Sequence, residues 1–243
     1  TAVAVPRLNK TGGLPMNGKQ QTHSTIFLVL TALYITCLLI SNIIASKLIQ
    51  IAGIVLPSAV ILFPVTYILA DGFTEVYGFR KMRTVIWLGF CANAFMSLIF
   101  LVAIALPSPP FFGEQEAYRI VLSNSPRIFL ASLAGYWAGE FSNSIILSAL
   151  KKATKGRLLW TRTIASTIVG EGLDTILFIG IAFWGTMPKT SLIQMMLAQY
   201  LFKVAYEVAF TPFTYLVVSY IKRKENIDTF DRDVVYNPFR LGE

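Results

Sequence analysis

Histidine is almost missing from this chain: His23, in a polar N-terminal stretch, is the only one. That leaves no basis for a His-based metal centre or a histidine-dependent catalytic triad. Cysteine is scarce as well. Cys37 and Cys91 both fall inside apolar runs, so neither a disulfide framework nor a zinc site is expected. Charge is thin: Asp, Glu, Lys and Arg make up 14% of the residues, where soluble domains carry roughly 25%. Hydrophobic residues reach 55% and the mean hydropathy is +0.61. A soluble enzyme could not cover so much apolar surface, and a disordered chain would not contain it. No metal and no cofactor is called for.

What is present is a series of apolar runs. The first extends from Ile26 to Leu48. The second extends from Leu56 to Tyr77, with Pro57 at its start and Pro64 inside. The third is Val85 to Leu106, the fourth Arg127 to Leu150, and the fifth Thr161 to Trp184. The last is Leu192 to Ile221, with Pro212 in its second half. Each suits a membrane-spanning helix, which needs about 20 residues. Proline removes a backbone donor, so Pro64 and Pro212 are expected to kink their helices. The stretch Ile49 to Val55 is too short to span and reads as a strand-like or re-entrant link. The expected fold is an all-α polytopic membrane protein with six transmembrane helices. Residues 1–25 read as a flexible cytoplasmic leader, 26–221 as the membrane domain and 222–243 as a cytoplasmic tail.

Lys and Arg exceed Asp and Glu by eight. They concentrate in alternate links: Arg7, Lys10 and Lys19; Arg80, Lys81 and Arg83; Lys151, Lys152, Lys155, Arg157 and Arg162; Lys222, Arg223 and Lys224. The remaining links hold only Lys47, Arg119, Arg127 and Lys189. The positive-inside rule then places both termini in the cytoplasm. Topology thus accounts for most of the basic excess. No basic patch with interleaved aromatics remains, so no nucleic-acid partner is expected.

The informative residues are charges that hydropathy alone would forbid. A charged side chain at mid-helix costs about 2.5–3.5 kcal/mol on insertion scales, so it tends to mark a site or pathway. Six acids lie within or at the edge of the runs: Asp71, Glu75, Glu140, Glu171, Asp174 and Glu207, with Lys203 among them. Their spacing is helical. Tyr67, Asp71, Thr74 and Glu75 share one face of the second span, and Tyr136, Glu140, Asn143 and Ser144 one face of the fourth. Thr167, Gly170, Glu171, Asp174 and Phe178 form a stripe on the fifth. Gln199, Lys203, Tyr206 and Glu207 do so on the sixth, and Tyr34, Ser41, Asn42 and Ser46 on the first. Such stripes must turn inward, which predicts a polar cavity. Glu140, Glu171, Asp174, Lys203 and Glu207 lie about 10 to 17 residues from a helix end, hence near mid-membrane at about 1.5 Å per residue.

Simpler roles stay open for several of them. Lys203 and Glu207 are spaced to neutralise each other, and Asp71 or Glu75 to pair with Arg80 or Lys81. Ala131, Gly135 and Gly139 form a small-xxx-small run suited to close helix packing. Gly170 and Gly172 suit either packing or room for a flat ligand. Six acids against two bases, Lys203 and Lys47 at the end of the first span, nonetheless leave negative charge to be protonated, solvated or matched by a ligand.

The stretch Phe63-Pro64-Val65-Thr66-Tyr67-Ile68-Leu69-Ala70-Asp71-Gly72-Phe73-Thr74-Glu75-Val76-Tyr77-Gly78 resembles the signature of the queuosine precursor transporter, or vitamin uptake transporter, family. So do Thr161 to Thr167 with Gly170-Glu171-Gly172-Leu173-Asp174-Thr175, and Phe202-Lys203-Val204 followed by Glu207. The tail segments Asp228-Thr229-Phe230-Asp231 and Tyr236-Asn237-Pro238-Phe239 are similar to those of members with this extension. The resemblance covers roughly residues 26–240, with the motifs in order; the leader and the Pro-rich link before the fourth span carry no signature.

It implies import of 7-deazapurines such as 7-cyano-7-deazaguanine, its aminomethyl analogue or queuine, at a bacterial or archaeal cell membrane. The substrate-binding candidates are then Asn42, Asp71, Glu75, Glu140, Asn143, Glu171, Asp174, Lys203 and Glu207. A carboxylate suits the N1–H and 2-amino edge of a guanine-like ring. Asn42, Asn143 or Lys203 suits its acceptor atoms. Membrane lipid is the other partner; a homo-oligomer, or coupling subunits with a separate ATPase, remain alternatives, as does another vitamin-like solute. The chain is not expected to be an enzyme, since no Ser–His, Cys–His or metal set exists.

Overall fold

The computed structural model describes residues 24–45, 47–51, 54–122 and 126–240. The expected leader falls almost wholly outside the described residues, as does Ser46. Helix α1 (Thr25–Ile44) leads into an antiparallel hairpin, β1 (Leu48–Ile51) and β2 (Ile54–Pro57), in register Leu48↔Pro57 to Ile51↔Ile54. A 3-10 turn (Ser58–Ile61) precedes α2 (Phe63–Gly72), which continues as a π turn (Phe73–Tyr77). Then come α3 (Phe79–Ala105), the short α4 (Gln115–Leu122), α5 (Pro126–Ala153), α6 (Leu159–Phe183) and α7 (Lys189–Glu225). Among the described residues the regular structure is therefore helical apart from one hairpin, which occupies the link read as too short to span.

Helices α1, α3, α6 and α7 are long and apolar enough to cross a membrane. At 28 residues α5 is as long, but Glu140, Lys151 and Lys152 lower its hydropathy. The 37 residues of α7 extend about 55 Å at about 1.5 Å each, well beyond a hydrocarbon core of about 30 Å. Part of α7 therefore exceeds what an apolar layer can cover; its last turn carries Lys222, Arg223 and Lys224. Apolar side chains such as Leu33, Phe95, Leu98, Ile176, Leu201 and Leu216 point outward, where lipid rather than water would meet them.

The first of the two prolines departs from expectation. Pro64 lies in the first turn of α2. Its missing N–H is one that a helix start leaves unpaired anyway, so it begins the helix rather than kinking it. Pro212 is inside α7, which runs on unbroken across it. Immediately before it, the Thr211 hydroxyl donates one turn back to the Glu207 carbonyl at 2.8 Å.

Glycine decides the α5–α6 pairing. A Cβ on Gly170 would stand 2.9 Å from the Gly139 carbonyl oxygen and 2.8 Å from the Asn143 Cβ. The two backbones touch here, so the packing role foreseen for Gly139 extends to Gly170. Gly170→Ala is expected to cost about 1–3 kcal/mol through overpacking, read as a lowered thermal midpoint in detergent. An unchanged midpoint would show that the helices can separate without penalty.

Around the π turn the interior is aromatic: the Phe27 ring meets Phe73 at 5.5 Å and Tyr77 at 4.9 Å, both edge-on. After α7 the chain turns back. Residues 227–240 lie as a strap over the ends of α3 and α5 and the π turn. Thr229 N–H donates to the Val76 carbonyl at 3.1 Å. The Asp231 carboxylate accepts from the first N–H of α3, on Phe79, at 2.8 Å and from the Ser148 hydroxyl at 2.5 Å. It thereby caps that helix by charge and by hydrogen bond. The Arg83 guanidinium and the Trp87 indole donate to the carbonyls of Asn237 and Pro238. The expected tail is thus part of the packed body over these residues.

Candidate functional site

A cavity of about 400 Å³ lies among α1, α2, α5, α6 and α7. Each helix contributes part of the stripe that its sequence spacing put on one face; Asp71, Glu75, Asn143 and Glu207 are not in the wall. Helix α1 supplies Tyr34, Ser41 and Asn42; α2 supplies Phe63, Thr66 and Tyr67. Tyr136 and Glu140 come from α5, Glu171, Asp174 and Phe178 from α6, and Gln199 and Lys203 from α7. The stripes converge because five helices share the cost of burying polar groups in an apolar surround.

Lys203 is the electrostatic centre of this cavity. Its ammonium lies 2.7 Å from Glu171 Oε2 and is paired with Asp174 as well. Glu207, one turn along α7, takes no part in this group. The i, i+4 pairing allowed by spacing yields to carboxylates arriving from α6, which places two acids beside one base. Glu140 differs from these acids. Among the described residues no base pairs with it; the Tyr34 hydroxyl is its hydrogen-bond partner, and its Oε2 is shut off from solvent with no donor. Asn42 is occupied within the protein: its amide donates to the Leu38 carbonyl at 3.0 Å and its Oδ1 accepts from the Ser132 hydroxyl at 3.3 Å.

Asp71, Asn143 and Glu207 form a second group that does not line the cavity. Asn143 Nδ2 donates to Asp71 Oδ1 at 3.1 Å. Glu207 reaches across from α7 to face the same carboxyl.

Glu75 belongs to a third group, in the π turn. It is 1% exposed and its Oε1 gathers Lys222 at 2.8 Å, Arg162 at 3.2 Å and Lys151 at 3.5 Å. Asp228, from the strap, joins Lys151 at 2.5 Å and Lys222 at 2.9 Å. Partial burial opposes its ionisation, but hydrogen bonds from the two lysines prevail and hold its carboxyl below the ordinary range. Arg80 and Lys81, the partners suggested by proximity in sequence, are not in this cluster: residues 151, 162 and 222 are brought in by three separate helices. The π turn widens the helix at this point, a local distortion often tied to special sites.

Sequence reasoning missed Asn93 and Ser132 in the cavity wall. Asn93, buried within an otherwise apolar stretch of α3, was the available signal. It also missed Lys151, Arg162 and Lys222 as partners of an acid, because charges at span ends read first as topology signals.

Residues 57–217 match the family described as "Putative vitamin uptake transporter". One relative is the protein named "Probable queuosine precursor transporter" of Bacillus subtilis (strain 168). It is 26% identical over 188 residues, which cover 76% of this chain and 81% of that protein. No solved structure matches the chain. With a family match over most of its length and helices suited to crossing a bilayer several times, this chain belongs to the vitamin uptake transporter family, a multi-pass transport protein of the cell membrane and not an enzyme.

Proposed function

We propose that this protein imports 7-deazapurine precursors of queuosine, binding them in the cavity between α1, α2, α5, α6 and α7. The observation that carries this reading is the Glu140 carboxylate in the cavity wall, which has the Tyr34 hydroxyl beside it but no basic partner among the described residues. Glu171 and Asp174 already have Lys203 as counter-charge, whereas a buried oxygen of Glu140 has no donor. A guanine-like edge presents N1–H and a 2-amino group side by side, and one carboxylate accepts both. Phe63, Tyr67 and Phe178 offer ring faces or edges in the same wall. The Lys203 ammonium suits the ring's carbonyl oxygen.

Six segments cross the membrane in this reading: α1, α2 with its π turn, α3, α5, α6 and α7. Both ends of the chain and the strap are cytoplasmic, which puts the Lys- and Arg-rich links inside. Glu140 and Glu171 then fall halfway along their helices, near mid-membrane, where transporter sites commonly lie. The Glu75 cluster closes the cytoplasmic side below the cavity.

Glu140→Gln is the test. An amide cannot accept two adjacent N–H groups with both its polar atoms. Affinity of the detergent-purified protein for 7-cyano-7-deazaguanine should fall by about 10- to 100-fold, the worth of one or two hydrogen bonds to a charged group. Unchanged affinity in a folded variant would remove Glu140 from the site. No binding by wild-type protein of this solute, its aminomethyl analogue or queuine would overturn the substrate assignment.

A further inference from the structure

We infer that Asp71 and Glu207 form the binding site of a coupling proton, set behind the substrate cavity; the inference rests on the transport reading above. Each residue is 2% exposed, and neither lines the cavity. Their carboxyls face each other across the packed contact between α2 and α7. Asp71 Oδ1 is satisfied by Asn143 at 3.1 Å. Asp71 Oδ2 and Glu207 Oε1 are closed off from solvent with no donor at all.

The groups around the pair make matters worse for two negative charges. From α2 itself Glu75 faces Asp71, and from α6 Glu171 faces both carboxyls. From α5 come the neutral amide of Asn143 and a further acid, Glu140, within electrostatic reach of Asp71. The nearby bases are committed elsewhere: Lys203 to Glu171 and Asp174, and Lys151, Arg162 and Lys222 to Glu75. Among the described residues no base is paired with Asp71 or Glu207. Two carboxylates in contact in a dry interior do not both stay ionised. One proton between them gives a bare oxygen its donor and removes the repulsion. A hard metal cation is a poorer fit, since such ions take about six or more oxygens and this pocket offers the two carboxyls and Asn143 Oδ1.

Position makes that proton useful. Tyr67, one helical turn before Asp71, lines the cavity, and so does Lys203, one turn before Glu207. One turn beyond Asp71 lies Glu75, the hub of the ionic cluster. The pair thus sits between substrate site and cytoplasmic seal, on the two helices that carry both. Losing the proton sets two like charges between α2 and α7 and pushes them apart, and that same displacement moves Tyr67 and Lys203.

Reconstitution into liposomes tests this with radiolabelled 7-cyano-7-deazaguanine. Wild-type protein should accumulate the solute when the outside is made more acidic. One proton per neutral solute sustains up to about ten-fold accumulation per pH unit. Asp71→Asn and Glu207→Gln should keep solute exchange without a gradient within about two-fold, yet reach an accumulation ratio near one. Gradient-driven accumulation undiminished in both variants overturns the inference. So does wild-type accumulation indifferent to the pH gradient, which would point to sodium or to separate energising subunits. Failure of wild-type protein to bind or exchange any deazapurine sinks the substrate reading instead. An infrared difference spectrum between neutral and alkaline pH reads the proton without any solute. A protonated-carboxyl band lost in both variants supports the site, and its absence from wild type overturns it.

Discussion

Glu75→Ala should be the most destabilising single substitution in this protein, by about 3–5 kcal/mol, the usual consequence of removing one partner from a buried ion pair. The side chain is 1% exposed, and Arg162 and Lys151 beside it are 1% and 3% exposed. Without it Lys151 and Lys222 would be left with Asp228, which is 46% exposed, as their counter-charge, and Arg162 would lose the carboxylate it is paired with. The damage would spread, because Lys151 also donates to the Thr229 carbonyl at 2.7 Å and holds the strap to the helices. Glu75→Gln keeps the volume and an acceptor, so its loss should be smaller. Thermal unfolding in detergent checks the order: wild type above Gln above Ala. A midpoint for Glu75→Ala equal to that of wild type would mean that the cluster contributes nothing.

Lys203→Met should be nearly as severe and should also act on function. The substitution preserves length and removes the charge, which leaves Glu171 and Asp174 side by side at 16% and 23% exposure. About 3 kcal/mol of destabilisation is expected, together with weakened deazapurine binding. Adding Asp174→Asn removes one of the two stranded charges. The double variant should therefore recover much of the stability but not the affinity, a non-additivity that residues in contact show. Stability losses that simply add would mean that the pair acts independently.

The strap shows how far one-dimensional reading reaches. Asp228, Asp231 and Tyr236 stand in a polar segment that hydropathy marks as a tail beyond the last span. In space Asp231 caps α3, and Tyr236 meets Ser148 at 3.0 Å. Phe239 packs on Trp87 and Trp137, with ring centres 5.9 and 5.7 Å away. Nothing local in the segment announces this, since each contact joins residues far apart in the chain. The same holds for Glu75. Its nearest bases in sequence, Arg80 and Lys81, lie on the following helix, and the bases that reach it come from α5, α6 and α7.

By itself the sequence determined that the chain is helical, that it belongs in a membrane, and which face of each helix is polar. Those properties depend on the cost of exposing backbone or charge to lipid, which is paid residue by residue and follows a helical period. It also supplied the full set of acids and the base, since buried charge is rare enough to stand out. Only the tertiary structure decided how that set divides. Glu140, Glu171, Asp174 and Lys203 enter the cavity, Asp71 and Glu207 face each other behind it, and Glu75 anchors the ionic cluster. Partition of charge among sites depends on which helices are neighbours and how closely they approach. That is set by contacts such as Gly139 against Gly170, between segments that sequence spacing cannot relate.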